Sequence, residues 1–165
     1  MKRRTKFFTA LVFLAVLDQI VKQWVMAVLK PGGPIVLIPG ALELSYVENR
    51  GAAFGILQNR QWFFVVVTLM VLAGVLWIYP RIPEKRRFLP LRLCACFIAA
   101  GAIGNMIDRI SRGYVVDFIY FRLIDFPVFN VADIYVTCSA FALAFLFLFY
   151  YKDQELNDII SGEGR

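Results

Sequence analysis

The sequence predicts an all-α membrane protein: a four-transmembrane-helix bundle with a small β-sheet formed by its two outer loops. Of the 165 residues, 60% are hydrophobic and 18% are charged, whereas soluble domains average about 45–50% and about 25%. The hydrophobic residues fall into four blocks, and each block is long enough to cross about 30 Å of hydrocarbon as a helix. The blocks lack the alternation of barrel strands, so helices are the structure that satisfies their backbone within lipid.

The blocks define the domain organisation and exclude a disordered chain or a typical water-soluble enzyme. The first block follows a basic segment, as a secretory signal does, but no small-x-small cleavage site follows it, and we expect it to remain a span. Residues 1–152 are expected to form a single integral membrane domain, and residues 153–165 a cytoplasmic tail that only stays in solution. The predicted spans are residues 7–29, 62–79, 91–107 and 131–151.

Lysine and arginine predict the orientation. They are in excess at the N-terminus and in the link between the second and third spans, which lie on the same side of a four-span protein. By the positive-inside rule, that side and both termini are cytoplasmic. The net charge of +6 is therefore an orientation signal, and no basic patch interleaved with aromatic residues points to a nucleic acid. The basic residues that carry the signal are Lys2, Arg3, Arg4, Lys6, Arg81, Lys85, Arg86, Arg87 and Arg92.

Two loops, residues 30–61 and 108–133, face the outer side and contain short strand-like runs. Pro39-Gly40 is placed to form a turn between the first two runs. We expect the runs to pair into one small sheet on the outer end of the bundle. They are Ile35–Ile38, Ala41–Val47, Val115–Phe121 and Phe126–Phe129.

Acidic residues at membrane depth or at its edge are expensive and are functional candidates by default. Asp18 and Lys22 are four residues apart on one helix face, so we expect a buried ion pair that fixes helix packing. The alternative is a brace for an active site. The full acidic set is Asp18, Asp108, Asp117, Asp125 and Asp133.

Asp117 and Asp133 have contrasting surroundings. Asp117 lies within an apolar run, where desolvation favours the protonated form. Asp133 follows the N-cap residue Asn130 at the start of the fourth span, where the helix dipole favours the anion. Capping alone would explain Asp133, but two carboxyl groups whose proton affinities differ can also divide acid and base roles.

The composition narrows the possible chemistry. The chain contains no histidine, which excludes Ser-His-Asp, Cys-His and His-containing zinc sites. Two aspartates that activate a water molecule are the most economical catalytic interpretation, while an all-oxygen metal site of Asp108, Asp117 and Asp133 remains open. The polar end of the third span also has two interpretations. Asn105 and Asp108 could belong to the site, or they could merely form hydrogen bonds with each other and with Arg109.

Five motifs occur in order along the chain. One motif lies in the first span, one in each outer loop, and two where an outer loop meets a span. They are Asp18-x-x-x-Lys22, Glu48-Asn49-Arg50-Gly51-Ala52-Ala53-Phe54-Gly55, Gly101-x-x-Gly104-Asn105-x-x-Asp108-Arg109, Val115-Val116-Asp117-Phe118 and Phe129-Asn130-x-Ala132-Asp133. Together they resemble the bacterial lipoprotein signal peptidase (signal peptidase II) family over nearly the whole sequence.

The resemblance implies an aspartic endopeptidase of the bacterial cytoplasmic (inner) membrane. It would remove signal peptides from diacylglyceryl-modified prolipoproteins, cutting on the N-terminal side of the lipidated cysteine. Asp117 and Asp133 would be the catalytic pair, with Asp18 and Lys22 as a structural ion pair and no metal or organic cofactor. The residues expected to bind substrate or support the site are Asn49, Arg50, Asn105, Asp108, Arg109 and Asn130.

The expected partners are lipid-modified prolipoprotein substrates and membrane lipid, with no nucleic acid, and the chain is expected to act as a monomer. The site would lie near the outer (periplasmic) face, where the two carboxyl groups share a proton. We expect Asp133 to be the more ionised member and Asp117 the more protonated one. Two other classes stay open: a small transporter or channel subunit with an intramembrane Asp18/Lys22 pair, and a non-catalytic membrane protein that binds lipid or peptide.

Overall fold

The computed structural model describes residues 3–51 and 57–162. Within them, four helices are long and apolar enough to cross a membrane, which confirms the predicted four-span architecture. A π-helical turn, Leu146–Tyr150, extends the last helix to one residue before the predicted end of its span. The spanning helices are α1 (Arg3–Gly32), α2 (Gln61–Ile78), α3 (Leu89–Arg112) and α4 (Val131–Phe145).

Helix α3 lies at the centre of the bundle and packs against the other three spans. Two of its glycines make close approach possible. A Cβ atom at Gly101 would lie 2.5 Å from the Ala132 carbonyl oxygen of α4, and one at Gly104 would lie 2.5 Å from Oδ2 of Asp18 on α1. The absence of side chains here therefore brings the polar ends of α1, α3 and α4 together.

Helix α3 also extends five residues beyond the predicted end of the third span, to Arg112. The prediction placed the end where the apolar block stops. The added turn is polar, but Asp108 is buried and paired with Arg112 one turn later, so the charges do not end the helix. Gly113 ends it instead, with a φ of 76° that a residue without a Cβ adopts readily.

The loops predicted to face the outer side form a three-stranded antiparallel sheet in the order β1-β2-β3. Pro39-Gly40 forms the predicted turn, with Gly40 at a φ of 72°. Strand β2 begins one residue later and ends two residues later than predicted, so it carries Asn49 opposite Val115 at the start of β3. The strands are β1 (Ile35–Ile38), β2 (Leu42–Asn49) and β3 (Val115–Phe121).

The fourth predicted strand, Phe126–Phe129, is wrong. Among the described residues this run contributes one isolated bridge, between Ile119 and Phe129. Pro127 has no N–H group for a ladder, and the Phe126 amide closes a turn on the Phe121 carbonyl.

The predicted tail is more ordered than expected. Residues Asp153–Ser161 form a short helix, α5, that packs on the end of the bundle opposite the sheet. Ile159 is buried there, and Glu155 pairs with Arg87 at 2.7 Å. Apolar residues spaced along one face of α5 explain the docking, whereas its acidic residues had suggested only a soluble tail.

Candidate active site

Asp117 and Asp133 line the same cavity, of about 480 Å³, between the sheet and the nearby halves of α2, α3 and α4. Strand β3 carries Asp117, and the first turn of α4 carries Asp133. Apolar side chains such as Phe64, Phe129 and Ile134 form much of the wall. The two aspartates are thus placed at one end of a largely apolar site, which is the usual composition of a ligand pocket.

Asp133 takes part in the predicted helix cap. The Asp133 amide donates to Oδ1 of Asn130 at 3.0 Å, and the Asn130 amide donates to Oδ2 of Asp133 at 3.0 Å, which completes a capping box. Capping occupies one carboxylate oxygen. The other, Oδ1, accepts from Nδ2 of Asn105 at 2.7 Å, so Asp133 connects the cap to α3.

Asp117 is only 2% exposed and is held by two amide side chains. Nδ2 of Asn49 donates to Oδ2 at 2.8 Å, and Nδ2 of Asn130 donates to Oδ1 at 2.6 Å. Burial, followed by the nearby charge of Asp133, raises the pKa of Asp117 to about 7, although the two amides act in the opposite direction. The more protonated state expected for Asp117 is the one that this environment favours.

Each of the four carboxylate oxygens of the pair therefore accepts one N–H group from a neighbouring asparagine. Asn130 donates to both aspartates, to Asp117 through its side chain and to Asp133 through its backbone. This shared partner fixes the two carboxyl groups relative to each other.

The asparagine amides are in turn oriented by other donors. The Gly51 amide donates to Oδ1 of Asn49 at 2.9 Å, so the NH₂ group of Asn49 faces Asp117. Lys22 donates to Oδ1 of Asn105 at 2.9 Å, so the NH₂ group of Asn105 faces Asp133. No local sequence pattern indicates the Lys22 contact, because it joins residues 83 positions apart.

Arg109 lies in the cavity wall with its guanidinium group 4.6 Å from the ring centre of Phe64. It donates to the carbonyl oxygens of Asn105 and Gly51 over long distances of 3.4 Å. Its Nε is buried and has no hydrogen-bond partner among the residues that the structure describes. Arg109 thus retains donor capacity at the site, as expected for a residue that contacts substrate.

The predicted Asp18–Lys22 ion pair is present, at 2.9 Å, and a second aspartate joins it. Nζ of Lys22 lies 3.0 Å from Oδ2 of Asp108, and all three side chains are 0% exposed. Asp108 therefore does not line the cavity with Asn105, and the two do not satisfy each other. Helix phase explains this, because Asp108 faces α1 and pairs with Arg112 one turn later.

Arg50 also lies away from the cavity. Its side chain is about half exposed, bonds Glu48 at 3.2 Å and lies over the ring of Tyr114. Adjacent residues at a strand end point in opposite directions, so Asn49 faces the site while Arg50 faces outward. The motif residues Ala52, Ala53, Phe54 and Gly55 lie outside the described residues.

The metal alternative finds no support in the arrangement of the acids. Asp108 directs its oxygens to Lys22, Arg112 and a backbone amide rather than toward the other two aspartates. Within residues 3–51 and 57–162, no group of three or more acidic or cysteine residues is placed to hold a metal ion. Asp125 lies at the surface, where it accepts from the Tyr120 hydroxyl at 2.6 Å.

The chain is similar to known proteins in both sequence and structure. The family model described as signal peptidase (SPase) II matches residues 10–149. A lipoprotein signal peptidase of Streptococcus thermophilus (strain CNRZ 1066) is 42% identical over 152 residues, which cover 92% of this chain and 96% of that protein. A lipoprotein signal peptidase of Streptococcus pyogenes serotype M5 (strain Manfredo) is 41% identical over 143 residues, covering 87% and 92%.

Two solved structures, both described as bacterial membrane enzymes determined by the in meso method, share the fold. One, at 2.3 Å resolution, aligns with a TM-score of 0.76 and 32% identity over 87% of this chain and 88% of that one. The other, at 1.9 Å resolution, aligns with a TM-score of 0.75 and 31% identity over 89% and 95%.

Proposed function

The chain belongs to the signal peptidase II family and removes signal peptides from lipoprotein precursors, and we propose that Asp117 and Asp133 perform this cleavage as an aspartic dyad. The observation that carries the proposal is that both carboxyl groups line one cavity and share Asn130 as a hydrogen-bond donor. A pKa of about 7 for Asp117 supports a pair that holds a single proton near neutral pH.

The arrangement favours the following division of labour. Asp133, stabilised as an anion by the start of α4 and by Asn105, takes a proton from the attacking water. Asp117, in its protonated form, donates a hydrogen bond to the scissile carbonyl oxygen. Water adds to the carbonyl carbon, the proton held by Asp133 passes to the leaving nitrogen, and the C–N bond breaks.

We place the site at the outer (periplasmic) face of the bacterial cytoplasmic membrane, with both termini in the cytoplasm. The basic residues beside the end opposite the sheet support this orientation. The apolar walls of the cavity suit a substrate that arrives within the bilayer, with its diacylglyceryl chains remaining in lipid and the bond before the lipidated cysteine reaching the dyad. We further propose that the protein acts as a monomer, with residues 1–152 as the membrane protease domain.

Neutralising either aspartate tests the dyad. Asp117→Asn and Asp133→Asn should each reduce the cleavage rate of a lipidated precursor by at least about 100-fold, because each removes an acid–base group. Asp125→Asn is the matched control, since Asp125 is a surface residue of the same loop with a φ of 47° that asparagine tolerates. Near-normal cleavage by either dyad variant would refute the proposal.

A paired substrate assay tests the lipid requirement. The purified protein is incubated with the same precursor in diacylglyceryl-modified and unmodified forms. Cleavage should be confined to the modified form, and sequencing of the product should place the cut before the lipidated cysteine. Equal cleavage of both forms would show that the lipid is not recognised.

The transporter alternative is not favoured, because the side chains that would form its polar path are enclosed. Asp18 and Lys22 are 0% exposed and direct their charges at each other and at Asp108. Such a closed set offers no continuous polar surface along the bundle.

A further inference from the structure

The buried ion cluster of Asp18, Lys22 and Asp108 lies directly behind the two aspartates of the proposed dyad. We propose that this cluster is a positioning device: it clamps the two backbone segments that carry Asp117 and Asp133, and it orients the amide that bonds Asp133. The inference rests on the proposed function of the dyad and assigns the cluster a role in the rate of cleavage, beyond helix packing.

The clamp is visible in two backbone contacts. Oδ1 of Asp18 accepts the N–H of Ala132 at 3.1 Å, and Oδ2 of Asp108 accepts the N–H of Val116 at 3.1 Å. Ala132 immediately precedes Asp133, and Val116 immediately precedes Asp117. Since each acidic residue of the cluster holds the neighbour of one dyad member, the cluster fixes the start of α4 relative to the start of β3.

Lys22 joins these two contacts into one unit. Its Nζ lies 2.9 Å from Asp18, 3.0 Å from Asp108 and 2.9 Å from Oδ1 of Asn105. An ammonium group has three hydrogens, and here three acceptors are available for them. The ammonium therefore has one arrangement that satisfies it, and that arrangement ties α1 to Asn105 and Asp108 of α3.

The third contact helps to determine the direction of the Asn105 amide, together with Nδ2 of Asn130, which donates to the same oxygen at 3.1 Å. An ammonium group can only donate, so the amide must turn its oxygen toward Lys22, which leaves its NH₂ group for Oδ1 of Asp133 at 2.7 Å. A flipped amide would place NH₂ against the ammonium and oxygen against the carboxylate. Lys22 thus keeps a hydrogen-bond donor on the aspartate that is proposed to accept the proton of water.

A charge-free cluster tests this role. The triple variant D18N/K22M/D108N retains oxygen acceptors for the Ala132 and Val116 amides but removes the ammonium that orients Asn105. We expect kcat to fall by about 100-fold, because catalysis depends on sub-ångström placement of the reacting groups. KM should stay unchanged, because the cluster is buried behind the cavity and does not line it.

The matched control is R87Q/E155Q, which neutralises the ion pair at the opposite end of the bundle and should leave kcat unchanged. A triple variant with a kcat within about twofold of the wild-type value would overturn the proposal. If the triple variant does not fold in micelles, Asp108→Asn and Asp108→Ala replace it. The alanine variant should have the lower kcat, since it alone lacks an acceptor for the Val116 amide, and equal kcat values would overturn the clamp.

A mutant cycle distinguishes positioning from general destabilisation. If Lys22 acts through Asn105, the triple substitution should cause little further loss of kcat in an Asn105→Ala background, because residues that act as a unit are non-additive. Multiplicative losses would contradict the mechanism. If Asp117→Asn and Asp133→Asn are inactive but the triple variant has a normal kcat, the clamp is refuted and the dyad is not. If Asp117→Asn or Asp133→Asn still cleaves the precursor, the dyad itself is refuted.

Discussion

The two ends of the bundle hold their charges in opposite ways. At the sheet end, Asp18, Lys22 and Asp108 form a cluster that is 0% exposed and fully enclosed by its own partners. At the other end, Arg87 and Glu155 pair at the surface, with side chains 41% and 26% exposed, above an apolar core. At the sheet end, buried polar contacts require one arrangement of the charged side chains. At the other end, apolar packing dominates, and the exposed ion pair can be altered at little cost in stability.

The difference shows what each end does. Burying charges incurs a desolvation penalty that an apolar replacement would avoid, so an enclosed ion cluster is a poor way to gain stability. Its advantage is a fixed geometry, which is what the proposed role of the neighbouring Asp117 and Asp133 requires. An exposed ion pair has a small desolvation penalty and contributes little to stability, which is sufficient for holding α5 on the bundle.

Removing one charge from each end should give the largest difference in the free energy of unfolding between the two ends. Lys22→Met leaves the buried Asp18 carboxylate without a cation, while Asp108 keeps its pairing with Arg112, and it should reduce the free energy of unfolding by about 3–5 kcal/mol. Glu155→Gln, which removes one charge from the exposed pair, should change it by less than about 1 kcal/mol. Thermal unfolding in detergent micelles measures both.

The triple variant D18N/K22M/D108N sharpens this comparison. It removes all three buried charges and leaves only Arg112, a partly exposed cation, without its carboxylate partner, so it should be more stable than Lys22→Met alone although it contains more substitutions. Stability losses that simply add from one substitution to the next would show that the three residues do not form a coupled cluster.

Glycine substitutions should distinguish tight from loose packing, with a smaller effect. At Gly101→Ala, the added methyl group would meet the Ala132 carbonyl oxygen at 2.5 Å, and α4 would have to move. We expect a loss of about 1–3 kcal/mol, together with reduced cleavage, because the displaced turn carries Asp133. Gly74→Ala on α2 is the control, since its Cβ meets nothing within 4 Å, and alanine is the better helix former. Equal losses at the two positions would contradict the close contact.

The sequence predicted the features that depend on local patterns. Hydrophobic blocks identified the four spans, and the spacing of Asn130 and Asp133 identified the capping box. The contrast between Asp117 and Asp133 also followed from their immediate neighbours, which is why the candidate dyad could be selected before any geometry was known.

Contacts between distant segments could not be predicted in this way. Asp108 was grouped with Asn105 because both lie at the end of α3, but its partner Lys22 lies on α1, and only the packing of the two helices brings them together. The prediction for Arg50 depends on its place in a motif, whereas the direction of its side chain depends on how β2 ends. The Lys22–Asn105 contact likewise arises only when the bundle assembles.

The smallest expected effect concerns the proton that the proposed dyad would share. Asp133 raises the pKa of Asp117 while Lys22 lowers it, and Asp117 has a pKa of about 7. Because the pair needs one proton, cleavage should decline as the pH rises through about 7, when Asp117 loses it. Asn49 donates to Asp117 and lowers this pKa. Asn49→Ala should therefore move the alkaline limb of the pH–kcat profile to higher pH, by no more than about one unit.

A neighbouring substitution provides the control for that shift. Glu48 precedes Asn49 on β2 but directs its carboxylate to Lys30 and Arg50 rather than to the cavity. Glu48→Gln should therefore leave the alkaline limb where it is, although it changes the net charge of the same strand. An Asn49→Ala profile that coincides with the wild-type profile, or moves to lower pH, would mean that the ionisation seen in cleavage is not that of Asp117. Another ionisable group at the sheet end of the bundle would then set the alkaline limb, and the comparison between the two ends would have to be based on that group.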